Sequence, residues 1–194
     1  MITENLHNKF DHIHKVISTE KFLKIEALGG EIPFWISTYH PKQEVEINQE
    51  ITHIQKKLET EGKNILLIDL FELSMSIADE AMGLEALFQI EQKKTKERFK
   101  KALQSTMNIH ERLIPSIKKQ VSEQRPQVLM IKGVGRVYPF IRSHNVLNNL
   151  QSAVTVIPTL MFFPGRYTGQ SLELFGMMKD DNYYRAFNID NHKI

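Results

Sequence analysis

The chain has 194 residues, of which 41% are hydrophobic and 25% charged, and its formal net charge at pH 7 is +2. These values are typical of one globular domain with its own core, and so balanced a charge does not by itself indicate a nucleic-acid partner. The sequence contains no cysteine, which excludes disulfides, thiolate metal sites and a cysteine nucleophile.

Targeting signals are not evident at the N-terminus. The first residues lack the basic start and apolar block of a signal peptide. No apolar run approaches the roughly 20 residues that a membrane-spanning helix needs. We therefore expect a cytoplasmic protein without a membrane partner.

The N-terminal part predicts a helix followed by a strand–helix–strand unit. Residues 1–30 form an N-terminal helical segment, because apolar residues recur in it at spacings of three and four. Residues 32–38 are β-rich and predict the first strand. A helix from residue 41 ends at the turn around residues 61–64. Residues 64–70 are an unbroken apolar run, as expected for a strand buried on both faces of a parallel sheet.

The next segment, residues 79–124, predicts a helical insertion before the third strand. One long helix is expected from residue 76 or 79 to about residue 101, and a second helix, interrupted near Pro115, ends by residue 124. This excursion is longer than a compact connection requires, so it is a candidate region for partner contacts.

The last third predicts three more strands. Residues 128–132 form the third strand, and a helix is expected from about Arg136 to about residue 151, with Pro139 in its first turn. Residues 158–164 form a fourth strand, closed by the Pro-Gly pair at 164 and 165. Residues 171–178 form a fifth strand at an edge, and a turn or helix is expected over residues 180–187.

Together these elements predict an α/β fold in a single domain over residues 1–194. Its central sheet has about five mostly parallel strands flanked by helices. We predict a P-loop- or RecA-like arrangement that lacks the Walker A loop. The segment that follows the first strand, residues 37–42, contains no glycine to form a phosphate-binding loop.

The loops that follow parallel strands meet at one edge of a sheet, where α/β proteins build their sites. Gly133 and Gly135 supply only two of the three glycines of a dinucleotide fingerprint and are better explained by a tight turn. Asp69 stands where a magnesium-binding carboxylate would follow a strand, although helix capping or a salt bridge is the commoner use of such a residue. We therefore assign no catalytic, cofactor or metal residues and expect no enzyme activity.

The densest run of positive charge lies within residues 92–101. A solvated helix face would explain it, and so would a footprint for the phosphate backbone of DNA, whose binding would weaken steeply with salt. Both explanations stay open at this point. The candidate nucleic-acid residues are Lys93, Lys94, Lys96, Arg98, Lys100 and Lys101.

Three long motifs occupy residues 133–150, 160–165 and 174–187. With them the chain resembles the BrxB family, the small component of bacterial BREX phage-exclusion systems, and residues 32–73 match as a weaker pattern. The resemblance implies a role in phage defence beside a DNA methyltransferase, a large ATPase and the phosphatase-fold protein PglZ. It implies no catalytic residues, no cofactor and a non-catalytic accessory or scaffold role, with PglZ as the expected partner.

Two alternatives to this scaffold role stay open, a degenerate nucleotide-binding module and a DNA-binding accessory subunit, and so does assembly into a homo-oligomer. Arginine and tyrosine dominate interface hot spots, and the motif region is rich in both. For the two adjacent tyrosines, core packing is an equal alternative. The candidate partner-binding residues are Arg136, Tyr138, Arg142, Arg166, Tyr167, Tyr183, Tyr184 and Arg185, and the candidate turn glycines are Gly133, Gly135 and Gly165.

Overall fold

Seven strands form the sheet at the centre of the molecule, in a computed structural model that describes residues 2–25, 33–179 and 185–193. The order along its main path is β2-β3-β4-β1-β7, and every neighbouring pair on that path is parallel. A short antiparallel hairpin, β5 and β6, extends from the end of β4. The strands are β1 Phe34–Tyr39, β2 Ile65–Asp69, β3 Val128–Lys132, β4 Thr159–Tyr167, β5 Leu172–Leu174, β6 Met178–Lys179 and β7 Phe187–Asn188.

Helices cover both faces of the sheet. This arrangement confirms the predicted α/β class with a mostly parallel sheet, whereas the P-loop- or RecA-like detail stays a prediction, as does the division into segments 1–30 and 79–124. The helices are α1 Ile2–Ile17, α2 Glu20–Leu23, α3 Glu44–Thr60, α4 Leu70–Met82, α5 Leu84–Lys93, α6 Lys96–Thr106, α7 Ile114–Gln124 and α8 Ser143–Ala153, with a π-turn at Ile109–Leu113 and 3-10 turns at Pro41–Gln43 and Ile189–Asn191. None of the described helices is long and apolar enough to cross a membrane.

The core is divided by the sheet into two clusters, because successive strand side chains point to opposite faces. Phe34 and Ile36 of β1 pack in the cluster that contains buried residues of α4 to α8, whereas Trp35 packs in the cluster under α1 and α3. The apolar stripe predicted for the first helix is buried, as are Ile47 and Leu58 of α3.

The long helix expected from residue 76 or 79 to residue 101 is wrong, since three helices occupy this region. The first begins at Leu70, because the Asp69 carboxylate caps it by accepting from the Phe71 and Glu72 amides. It ends at Gly83, whose φ is +80°. The third begins after Thr95, whose hydroxyl caps α6.

The helix expected from about Arg136 begins instead at Ser143. Residues 134–140 form turns, and the Tyr138–Pro139 peptide is cis. Arg142 has an extended backbone (φ −96°, ψ 137°), which a helical residue cannot adopt, so α8 starts after it. Pro139 therefore lies in a loop and not in the first turn of the helix.

The fourth and fifth strands also differ from the prediction. β4 is not closed at Gly165 but continues to Tyr167, and Gly165 pairs with Leu174 inside the sheet. A Cβ atom on Gly165 would lie 2.0 Å from the carbonyl oxygen of Glu173, so close strand contact and not a turn explains this glycine. The single strand expected over residues 171–178 is broken by a hairpin turn. Most of the turn or helix expected over residues 180–187 lies outside the described residues.

Candidate functional site at the carboxyl edge of the sheet

A buried carboxylate lies at the ends of β2 and β3. Only 4% of the Asp69 side chain is exposed. Its Oδ1 caps α4, while its Oδ2 accepts a hydrogen bond from Arg136 and lies 3.6 Å from Nζ of Lys132. Burial of a charge is costly unless it is paired and hydrogen-bonded, and both oxygens of Asp69 are so engaged. Of the uses weighed from the sequence, helix capping and salt-bridge formation are the ones observed.

Two glycines allow this cluster to close. Gly133 has a φ of +77°, and a Cβ atom there would lie 2.5 Å from Oδ1 of Asp69. A Cβ on Gly135 would lie 2.8 Å from the ring of Phe175 and 2.9 Å from Pro164. Gly133 therefore provides the turn, while Gly135 allows close packing. At both positions a side chain is excluded by contacts with other residues of this chain, not by a ligand.

The neighbouring half of the edge is formed by β1 and β4. Tyr39, the last residue of β1, donates its hydroxyl to Oε2 of Glu44 at 2.6 Å. Burial, followed by this hydrogen bond, raises the pKa of Tyr39 well above its usual range. The phenol is therefore a neutral donor that holds the first turn of α3 against the strand end.

A second charged pair ties the N-terminal helix to the end of the chain. Lys9 of α1 donates to the carbonyl of Thr38 and lies 3.0 Å from Oδ2 of Asp190. The same carboxylate accepts from the Ser37 hydroxyl at 2.8 Å and from the Thr38 amide at 3.2 Å. Asp190 thus joins α1, β1 and the last 3-10 turn. This connection was missed from the sequence, because its partners lie more than 150 positions from Asp190.

Three of the residues proposed as partner contacts are engaged in contacts within the fold. Arg136 belongs to the Asp69 cluster, and its guanidinium carbon lies 5.0 Å from the centre of the Phe71 ring. Tyr138 packs edge-on against Phe175, with ring centres 6.5 Å apart. The Tyr167 hydroxyl donates to the Ala186 carbonyl at 2.7 Å.

All four proposed contact arginines are exposed, but Arg136 is bonded to Asp69, which leaves three whose side chains bond no other described residue. They are Arg142, Arg166 and Arg185. Tyr183 and Tyr184 lie outside the described residues. Internal bonding thus separates the described candidates into those that stabilise the fold and those that are available to a partner.

The basic run lies on the adjacent ends of α5 and α6. Five of its six cationic residues are exposed, Lys100 is half-buried, and none forms an ion pair with another described residue. Three of them, Lys94, Lys96 and Lys100, border a groove of about 500 Å³. The groove also contacts the loop that follows β3. Its other lining residues are Glu91, Phe99, Leu103, Pro139 and Phe140.

The fold and the polar carboxyl edge define the class of this molecule, an α/β protein with a candidate site where parallel strands end. A sequence profile of the family described as BREX protein BrxB matches residues 66–189. The chain belongs to the BrxB family. As a BrxB protein it is a BREX system component, consistent with a role in phage defence.

Two relatives carry the same description. The BREX protein BrxB of Bacillus cereus (strain H3081.97) is 38% identical over 189 residues, covering 95% of this chain and 97% of the relative. That of Escherichia coli O9:H4 (strain HS) is 29% identical over 189 residues, covering 97% and 94%. No solved structure matches this chain.

Proposed function

We propose that this protein is a non-catalytic scaffold of its BREX system that acts by binding another component, PglZ. The observation that carries the proposal is the groove between α5, α6 and the loop after β3. It joins the two regions that the sequence proposed for partner contacts, the helical insertion and the motif-rich last third. The choice of PglZ rests on the family resemblance.

The floor of the groove is apolar. Leu103 is buried, while Phe99 and Phe140 are half-buried and so still present ring surface. Nearby in sequence on α5, Phe88 is 53% exposed. Apolar surface left accessible beside a polar rim is typical of protein interaction sites. An aromatic or aliphatic side chain of the partner would gain by burial here.

The rim of the groove is positively charged. Lys94, Lys96 and Lys100 border it, against one carboxylate, Glu91. Since these lysines have no ion-pair partner among the described residues, an acidic segment could pair with them without breaking existing contacts. The groove therefore fits an acidic segment of PglZ that carries an apolar anchor.

Two triple variants on the same helices test this proposal. K94E/K96E/K100E reverses the groove lysines, and K93E/R98E/K101E reverses the same number of charges outside the groove. Tagged protein is co-purified from cells that express the other BREX components. We expect the groove variant to lose PglZ and the control variant to retain it.

A third variant, Phe140→Ala, removes an anchor from the floor without altering charge. We expect it to weaken the complex at least about tenfold, as for other interface hot spots. Equal losses in the two triple variants, or no complex with the unaltered protein, would contradict the proposal.

DNA binding is the second candidate function, because all six cationic residues of the run lack an ion-pair partner among the described residues. Contacts with a phosphate backbone depend on charge and not on the groove. Binding of a fluorescent duplex should then weaken equally in both triple variants and fall steeply with salt. Fluorescence anisotropy at low salt measures it, and no binding there would remove this candidate.

A further inference from the structure

A cavity of about 330 Å³ opens at the carboxyl ends of β1 and β4 and shares no lining residue with the groove. The end of β1 and the turn after it form one wall, and the end of β4 with the hairpin turn forms another. α1 and α3 close the remaining side. The lining residues are Leu6, Lys9, Thr38, Tyr39, His40, Pro41, Gln43, Ile47, Gly165, Arg166, Phe175 and Gly176.

The position of the cavity follows from the strand order. α3, which follows β1, packs on one face of the sheet, whereas Leu172 and Leu174 of β5, which follows β4, pack on the other. The chain therefore leaves two adjacent parallel strands in opposite directions. In open α/β sheets this divergence creates a crevice beyond the strand ends, and ligands bind there.

Positive charge dominates the cavity wall. Arg166 is exposed and makes no side-chain hydrogen bond or ion pair with another described residue. His40 accepts from the Lys42 amide through Nδ1, and no other described group bonds its Nε2. Lys9 also lines the wall, where Asp190 holds it in place.

No carboxylate lines the cavity to oppose these cations. Of the acidic residues beside its wall, Glu44 accepts from Tyr39 and Asp190 pairs with Lys9, while Glu173, which lies opposite Arg166 in the β4–β5 pair, forms no ion pair with it. An anion entering the cavity would therefore meet an arginine whose guanidinium is available for a bidentate contact. The histidine and lysine add further donors.

We propose that this cavity binds a small phosphorylated molecule, with its phosphate group on Arg166 and His40. The volume is at the lower end of the range for ligand pockets, about 300 to 1,000 Å³, which fits a mononucleotide or a smaller phosphate ester. Side chains, and not backbone amides, hold the phosphate, because residues 37–42 contain no glycine for a phosphate-binding loop. The ring of Phe175 offers the rest of the ligand an apolar contact.

Isothermal titration calorimetry tests this site with three probes: inorganic phosphate, AMP and adenosine. Phosphate and AMP are expected to bind, and adenosine is expected not to. AMP binding much tighter than phosphate would indicate a nucleotide as the ligand, whereas equal affinities would indicate that only the phosphate group is recognised. If neither phosphate nor AMP bound at about 1 mM, where even weak specific ligands are measurable, the proposal would be overturned.

Matched arginine variants locate the binding. Arg166→Gln should weaken AMP binding at least about tenfold, while Arg142→Gln removes an exposed arginine that does not line the cavity and should leave it unchanged. His40→Ala provides a second lining variant, and thermal unfolding checks that each variant is folded. Unchanged affinity in both lining variants, or equal affinity for adenosine and AMP, would refute the site. The groove variants should bind AMP normally, so this result is independent of the scaffold proposal.

Discussion

The two halves of the carboxyl edge handle charge in opposite ways. At the ends of β2 and β3, Asp69 is buried, and its oxygens bond or pair with Arg136, Lys132 and the first amides of α4. At the ends of β1 and β4, a cavity remains, and Arg166 is unpaired within the described part of the chain. In the first half the charges are paired with one another, whereas the second half has an unpaired arginine that can accept an anion.

This difference separates two arginines that are equivalent by sequence reasoning. Arg136 and Arg166 both come after predicted strands, at residues 128–132 and 158–164, and both were proposed as partner contacts. In the structure Arg136 neutralises a buried carboxylate, so its removal acts first on the fold. Arg166 neutralises no buried charge among the described residues. Charge reversal of Arg136 is therefore a poor test of an interface, while Arg142 and Arg166 are suitable positions.

The largest expected loss of stability comes from Asp69→Ala. This residue is at the centre of the half formed by the ends of β2 and β3, which we call the closed half. The change leaves Arg136 and Lys132 without their counter-charge and removes the cap of α4. Removing one partner of a buried pair costs 3–5 kcal/mol as a rule; since the two cations are partly exposed, we expect a loss of about 3 kcal/mol in the free energy of unfolding, measured by urea titration. Asp69→Asn should cost less, because asparagine can still cap the helix.

The control for Asp69 is Asp79→Asn, which alters an exposed aspartate that accepts from the Leu84 amide. It should cost under about 0.5 kcal/mol. If Asp69→Ala were equally mild, the closed half would not depend on its central carboxylate.

Gly133→Ala tests the same half through the backbone. The new Cβ would lie only 2.5 Å from Asp69 Oδ1, and alanine would be strained at a φ of +77°. We expect a loss of about 2 kcal/mol in the free energy of unfolding. Gly62→Ala is the matched control, because its φ is +80° and nothing lies within 4 Å of its Cβ position. It should cost about 1 kcal/mol from strain alone. Equal losses would show that the Asp69 carboxylate moves away from the new Cβ atom without a loss of stability.

The sheet was predictable from the sequence because its strands are buried. β2 and β3 are continuous apolar runs, and β3 spans the predicted residues 128–132. Helices were harder to bound, since their ends depend on single side chains. The break at Gly83 and the cap by Thr95 divide a region that was predicted as one helix, and the cap by Asp69 starts the first of its helices earlier than predicted. A glycine inside a helical pattern and an aspartate at a strand end were the available signals.

The candidate site was only partly predictable. Parallel strands bring Asp69, Lys132 and Arg136 to one edge, so the predicted topology accounts for their proximity. The hairpin turn was missed, although Gly176 in the run of residues 171–178 could have indicated it. Phe175 adopts φ +58° in this turn, and its ring packs against Gly135. Such contacts depend on the shape of the folded chain and have no signature in local spacing.

The smallest expected effects come from making the same substitution, arginine to glutamine, at Arg136 and at Arg166. Arg136→Gln leaves Asp69 with Lys132 and its amide donors, so we expect a loss of about 1 kcal/mol in the free energy of unfolding. Arg166→Gln should change that free energy by less than about 0.5 kcal/mol, because the exposed side chain bonds no other described residue. Urea titration at low and high salt measures both. Because Asp69 is buried, the Arg136 effect should persist at high salt. If Arg166→Gln lost as much free energy of unfolding as Arg136→Gln, Arg166 would have a structural partner. Both halves of the edge would then be stabilised by paired arginines.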